Sequence, residues 1–236
     1  MDRGQTDTML KHWRWELDRQ GLAWLTFDRQ GESTNTFSRE ALEELGAALD
    51  AIAAAKPKGL VIRSAKENFI AGADIKEFTR FANAEEALAF NRLGWDTLQK
   101  LRELPFPSTA MVNGFCMGGG LELALACRFR VALDEPKTRF AFPEVMLGIW
   151  PTWHGLQWLP KLVGPAAALD MILTGRTVNA RRAKRWKNWA RRSTTLPRPS
   201  PRASSSARRR RTSSPAPTSR SSHASPTPRR PSASTG

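Results

Sequence analysis

The 236-residue sequence has only two cysteines, Cys116 and Cys127. Two are too few for a disulfide framework, and both sit among apolar residues, where free cysteine packs as a small buried side chain. No apolar run approaches the roughly 18–20 residues of a membrane-spanning helix. Met1–Leu10 carries acids and polar residues where a secretory leader needs an apolar stretch, so a cytoplasmic location is expected. Acids are missing altogether from residues 191–236, which hold 11 arginines. That segment therefore carries +11 of the formal +15 charge. The remaining 190 residues have 26 basic and 22 acidic side chains, an ordinary balance. The basic character of the whole chain thus says nothing about partners of its first four-fifths.

The basic segment contains 13 Ser, 11 Arg, 8 Pro, 6 Thr and 5 Ala, with Leu196 its one sizeable aliphatic residue. It has too little apolar surface to offset chain entropy, so residues 186–236 are expected to be disordered. Arginine and serine at this density can hold RNA or anionic lipid electrostatically. The absence of interleaved aromatics removes base stacking and argues against nucleic-acid binding. A solvated linker is a second reading. The abrupt change in composition favours a third, the product of a GC-rich gene translated out of frame.

Residues 1–185 are expected to form one α/β domain of repeated strand–strand–helix units. Trp13, Trp15 and Leu17 alternate with Arg14 and Glu16, the pattern of a half-buried strand, and Gly21 turns the chain into a partner strand over Leu22–Phe27. Ser38 is placed to cap a helix whose Ala41, Leu42, Leu45, Ala48, Leu49 and Ile52 share a face. Gly59–Ile62, Thr109–Val112 and Phe129–Leu133 read as strands. Ala84–Leu104, stopped by Pro105, and Leu121–Cys127 read as helices.

Chemistry concentrates in three segments: Asn68–Glu77, Asn113–Glu122 and Phe142–Gly148. In the second, a strand ending at Val112 leads to Gly118-Gly119-Gly120 at a helix start. Glycines there permit close backbone approach and leave amides unpaired at the positive end of a helix. This is an anion or oxyanion site. Leu123 stands where a dinucleotide fingerprint needs its last glycine, and no Gly-Lys-Ser/Thr loop exists. Glu122 lies in the first helical turn amid leucines and alanines. It is either an exposed residue favoured at a helix start or a buried, used carboxylate. Glu144 follows Pro143 on an irregular stretch. A pair of such carboxylates sharing one water splits its pKa values and supplies acid and base near neutrality.

These three segments, in this order, resemble the crotonase (enoyl-CoA hydratase/isomerase) superfamily over about residues 12–185. Asp134–Thr138, Pro143–Gly148, Leu159–Gly164 and Ile172–Gly175 are similar to the hydratase region of the multifunctional fatty-acid oxidation α-subunits. The resemblance implies a crotonase-type spiral of ββα units and hydration of trans-2-enoyl-CoA to 3-hydroxyacyl-CoA, a lyase step of β-oxidation. By motif, Glu122 and Glu144 match the catalytic pair. Glu122 is the base for water, and Glu144 the acid that protonates C2. Ala73 and Gly119 match the two oxyanion-hole amides. The backbone of Ala71, Gly72 and Asp74 would grip coenzyme A, with Lys66 and Lys76 on its phosphates; Asp74 also reads as a turn or cap residue. No metal or redox cofactor is implied, only a coenzyme A thioester as substrate. Trimers or an α/β oxidation complex are the implied assemblies. The rival within the family is Δ3,Δ2-enoyl-CoA isomerisation through Glu144 alone.

The sequence departs from the family in two places. Thr152-Trp153-His154 replaces a small, glycine-rich stretch, and Trp158 stands where arginine is common. This bulk is expected to narrow the acyl pocket or disturb its floor, with His154 structural. From Trp186 the apolar helices that cover the site and build trimers are replaced. The chain alone is therefore expected to hydrate poorly.

Overall fold

The computed structural model describes residues 10–183 and the backbone of residues 193–196. Strands β1 (Trp13–Leu17) and β2 (Leu22–Phe27) form the expected antiparallel hairpin, with Trp13 opposite Phe27. Trp13 is buried and stacks on Phe27 at 4.1 Å between ring centres. The apolar face fades along the strand: Leu17 is 51% exposed. β1 is the sheet edge, and at its buried start Trp13 Nε1 donates to Ala41 O at 2.9 Å.

Helix α1 (Arg39–Ala55) begins where Ser38 Oγ accepts from the Ala41 amide at 3.2 Å, and its six expected core residues are all buried. β3 (Gly59–Ser64), a short α2 (Ile75–Phe78) and α3 (Ala84–Glu103) follow. Asn83 caps α3 by accepting from Glu86 N at 2.9 Å, and α3 stops just before Pro105. Next come β4 (Ser108–Val112), β5 (Phe115–Met117), α4 (Gly119–Ala126), β6 (Phe129–Leu133) and β7 (Arg139–Ala141). A 3-10 turn (Pro143–Leu147), α5 (Gly155–Val163), α6 (Pro165–Thr174), β8 (Val178–Asn179) and α7 (Ala180–Ala183) complete the order before β9 (Ser193–Leu196). Helix α4 starts at Gly119 rather than at the expected Leu121. Its glycines enter the first turn because Gly118, at φ 51°, has already made the bend that a side chain resists.

The strands form two sheets. The larger has the order β1-β2-β3-β4-β6-β9, parallel from β2 onward. The smaller, β5-β7-β8, is mixed. Units β1-β2-α1 and β4-β5-α4 repeat one plan. In the intervening unit the second strand shrinks to single bridges, Ile70 with Cys116 and Phe37 with Ala73. This ββα spiral is the expected fold class. The expected disorder over 186–236 lies outside the described residues except at Ser193–Leu196, whose backbone pairs with β6. A strand edge offers free amides and carbonyls that any extended segment can satisfy, whatever its composition. Among the described residues, no helix is long and apolar enough to cross a membrane.

Candidate active site

Helix α4 is buried along its whole length, and Glu122 with it, at 2% exposure. Of the two readings open in the sequence, the buried carboxylate is the one found. Its Oε1 accepts from the Gly155 amide at 2.7 Å, and the Trp153 amide also donates to the carboxylate. Gly155 has no room for a side chain: a Cβ there would lie 2.9 Å from Glu122 Oε1 and 2.8 Å from Phe142 Cζ. The backbone is thus pressed against the carboxylate it holds.

Glu144 sits in the first turn of the 3-10 segment, directly after Pro143. Its Oε1 is 2.9 Å from where a Cβ on Gly118 would stand, so the second carboxylate meets the start of α4. Its Oε2 is buried and has no partner among the described residues. Burial pushes Glu144 from 4.5 up to about 7. Burial, reinforced by the Glu144 charge, pushes Glu122 from 4.5 up to about 8, against the pull of the two amides. The pair therefore holds about one proton near neutrality. Both shifts run in the same direction, so the two carboxylates share that proton.

The two candidate oxyanion amides come from adjoining segments. Gly72 O accepts from Phe37 N at 2.8 Å, and Asp74 N donates to Phe37 O at 2.8 Å. Those bonds use the side of the chain facing Phe37, so the intervening Ala73 N–H points the other way. Gly119 is the first residue of α4, where helix amides have no intrahelical acceptor. A Cβ on Gly72 would stand 3.5 Å from Gly119 N and 3.3 Å from Met117 O, which brings the two segments into contact. Gly72, at φ 97°, and the missing Cβ atoms permit that approach. On Gly119 itself a Cβ would lie 2.5 Å from Trp153 Cζ3. Gly119→Ala is therefore expected to cost about 1–3 kcal/mol through overpacking, read as a lower melting temperature in thermal denaturation.

The remaining candidates are Ala71, Asp74, Lys66 and Lys76. The Ala71 amide donates to Asn35 O at 2.9 Å. Asp74 caps α2 by accepting from Lys76 N at 3.0 Å, and its other oxygen takes the Arg29 guanidinium at 2.6 Å. Its carboxylate is thus occupied as a cap, as one of the two expected roles required. Lys66 Nζ donates to Arg29 O at 2.7 Å and to Glu32 O, and lies 3.4 Å from Asp28 Oδ1. Lys76 Nζ reaches Glu32 Oε1 at 3.0 Å and is largely exposed. Of the two lysines, Lys76 is the freer to meet a phosphate. Among the described residues no three His, Cys, Asp or Glu side chains cluster as metal ligands.

Sequence reasoning missed what holds these groups. Asn35 is fully buried: its Oδ1 accepts from Arg29 N at 2.9 Å and its Nδ2 donates to Phe27 O at 3.0 Å. Arg29 in turn anchors Asp74. Neither has a local signature, because the pairings that matter are made with distant residues. The amides on Glu122 are equally invisible, since almost every residue carries one. His154 is buried between Trp95 and Trp158, with ring centres 3.6 and 4.2 Å away, and it occupies the left-handed region at φ 78°. Burial pulls its pKa down, which favours the neutral ring. Its Nε2 faces Trp95 O at 3.2 Å.

Known proteins resemble the chain that builds this carboxylate pair and its two amides. The enoyl-CoA hydratase/isomerase family profile matches residues 18–187. The chain belongs to this family. It is 45% identical over 172 residues to the fatty acid oxidation complex subunit alpha of Aliivibrio fischeri, covering 72% of this chain and 25% of the relative. A Vibrio cholerae subunit of the same name is 44% identical over 172 residues, with 72% and 24% covered. The chain thus spans about a quarter of the length of these curated relatives. Among solved structures, the enoyl-CoA hydratase of Bacillus anthracis superposes with a TM-score of 0.72 at 31% identity, covering 79% of this chain and 70% of that one. The shared fold is the crotonase fold.

Proposed function

We propose that the chain hydrates trans-2-enoyl-CoA thioesters to 3-hydroxyacyl-CoA, as a step of fatty-acid β-oxidation. Membership of the family and the names of its relatives support a hydratase-type activity. The observation that carries the finer reading is the Glu122–Glu144 pair, both pushed toward neutral pKa values. The thioester oxygen accepts from the Ala73 and Gly119 amides, which stabilise the negative charge it gains as the enolate forms. Fixed dipoles act most strongly where charge develops during the reaction.

Substrate entry sets the proton positions. Glu122 keeps two amide donors that favour its anion. Glu144 has an unpartnered Oε2, and a bound acyl chain removes what water still reaches it. The shared proton of the pair is therefore held by Glu144. Glu122 then takes a proton from water as the water oxygen bonds to C3. Glu144 gives its proton to C2, and the enolate collapses to the thioester. Proton return from Glu122 to Glu144 resets the site. Isomerisation needs one carboxylate; two in one pocket favour hydration.

Coenzyme A is expected to lie along Ala71–Asp74, with its phosphates toward Lys76 and Lys66. The expected result is loss of the conjugated enoyl absorbance of crotonyl-CoA, with 3-hydroxybutyryl-CoA as product. Conversion of a 3-enoyl-CoA without any hydration would replace this reading with isomerisation.

A further inference from the structure

We propose that the Trp153 side chain sets the length of the acyl group, so that the substrates are short-chain 2-enoyl-CoA thioesters of the crotonyl type. The inference rests on the function proposed above and adds to it a substrate class. A thioester whose oxygen accepts from the Gly119 amide has its carbonyl carbon beside Gly119. There the Trp153 indole stands: a Cβ on Gly119 would be 2.5 Å from Cζ3 and 2.7 Å from Cε3. The Trp153 amide meanwhile donates to Glu122, the carboxylate expected at C3. The ring is therefore next to the acyl group at the point where a longer chain has to continue.

The ring has nowhere to go. Trp153 is 4% exposed. Phe37 meets it edge-on at 5.9 Å and Phe90 lies 5.7 Å away. On α3, Gly94 has its Cα against the indole, and any Cβ there would overlap the ring. Gly94 and Gly119 together form a slot in which the indole is wedged. Swinging it aside requires moving α3 or the start of α4. Behind the ring, Phe90 continues into Phe78 and Phe81 at 6.2 and 5.5 Å. Removing the indole opens a space lined by Phe37, Phe90, Gly94 and Gly119, apolar and suited to an alkyl chain. Each methylene buried there is worth about fourfold in affinity, a gain denied while the indole stays.

The test uses the full chain and two saturated thioesters that bind without turning over, butyryl-CoA and decanoyl-CoA, measured by calorimetry. The unsubstituted chain is expected to bind them within about threefold of each other. Trp153→Ala, which keeps the amide on Glu122, is expected to tighten decanoyl-CoA at least about tenfold relative to butyryl-CoA, with a parallel shift in kcat/KM from crotonyl-CoA toward 2-decenoyl-CoA. Two results overturn the proposal: a tenfold preference for decanoyl-CoA in the unsubstituted chain, or an unchanged ratio in the variant. Should Trp153→Ala fail to fold by circular dichroism, Trp153→Leu gives the same readout with a smaller cavity. Crotonyl-CoA hydration with a flat length profile in both chains sinks this inference alone. Failure to bind either thioester sinks the hydratase reading with it.

Discussion

A Glu144→Gln chain is expected to hydrate crotonyl-CoA at least about 10²-fold more slowly, with the loss in kcat and little change in acyl-CoA affinity. A positioned general acid is typically worth about 10²–10⁴ in rate. Glutamine fills the same space, and its amide cannot give C2 a proton. Folding is not expected to suffer. Glu144 is pushed up to about 7 by burial, so the fold prefers its uncharged form, and an amide is always uncharged. Steady-state kinetics beside calorimetry of butyryl-CoA separates the two effects. Undiminished turnover would remove Glu144 from the mechanism and leave Glu122 to act alone.

The second large effect is on stability. Glu122 moves from an ordinary 4.5 up to about 8 on folding, mainly because α4 buries it. A raised carboxyl pKa means that the folded chain keeps a proton that the unfolded chain releases. The contribution is thus fully favourable below about pH 4.5, declines as pH rises, and is lost above pH 8. Every tenfold gain in proton affinity on folding corresponds to about 1.4 kcal/mol. Glu122→Gln removes the titrating group while its carbonyl oxygen still accepts from Gly155. The variant is therefore expected to melt higher than the unsubstituted chain at pH 9, on the order of 10 °C at 2–4 °C per kcal/mol. At pH 5 the two should nearly coincide. Thermal scans across that range check it; parallel curves would mean that Glu122 is already ionised in the fold at neutral pH. Hydration by this variant should also collapse, since the base is gone.

Much of the scaffold was legible because its signals are local. Ser38 and the spacing from Ala41 to Ile52 define α1 without reference to anything distant. Pro105 stops α3, and the β1-β2 hairpin needs only alternation around a glycine turn. The carboxylates were legible as residue types in an odd setting, but their proximity was not. Glu122 and Glu144 meet because the β5-β7 pairing brings the 3-10 turn back over the start of α4, a long-range event. The resemblance implies that the two carboxylates act together, which periodicity cannot show. The buried Arg29–Asp74 ion pair and Asn35 left no trace, since an arginine or an asparagine in a loop ordinarily faces water. Strand β9 arises in a segment whose composition argues against any structure, because an edge recruits backbone and is indifferent to side chains.

The bridges that flank the Gly72 turn have a consequence for how activity fails. Phe37 ties residue 73 to the strand-and-helix layer on one side, and Cys116 ties Ile70 to the small sheet on the other. One short seam thus stitches both layers and carries the Ala73 amide, while the Gly119 amide abuts it. Heating cannot slacken one donor and spare its neighbour. Turnover should climb with temperature as any activated step does, until the seam parts, and then vanish within a few degrees, like a zip that opens from a single tooth.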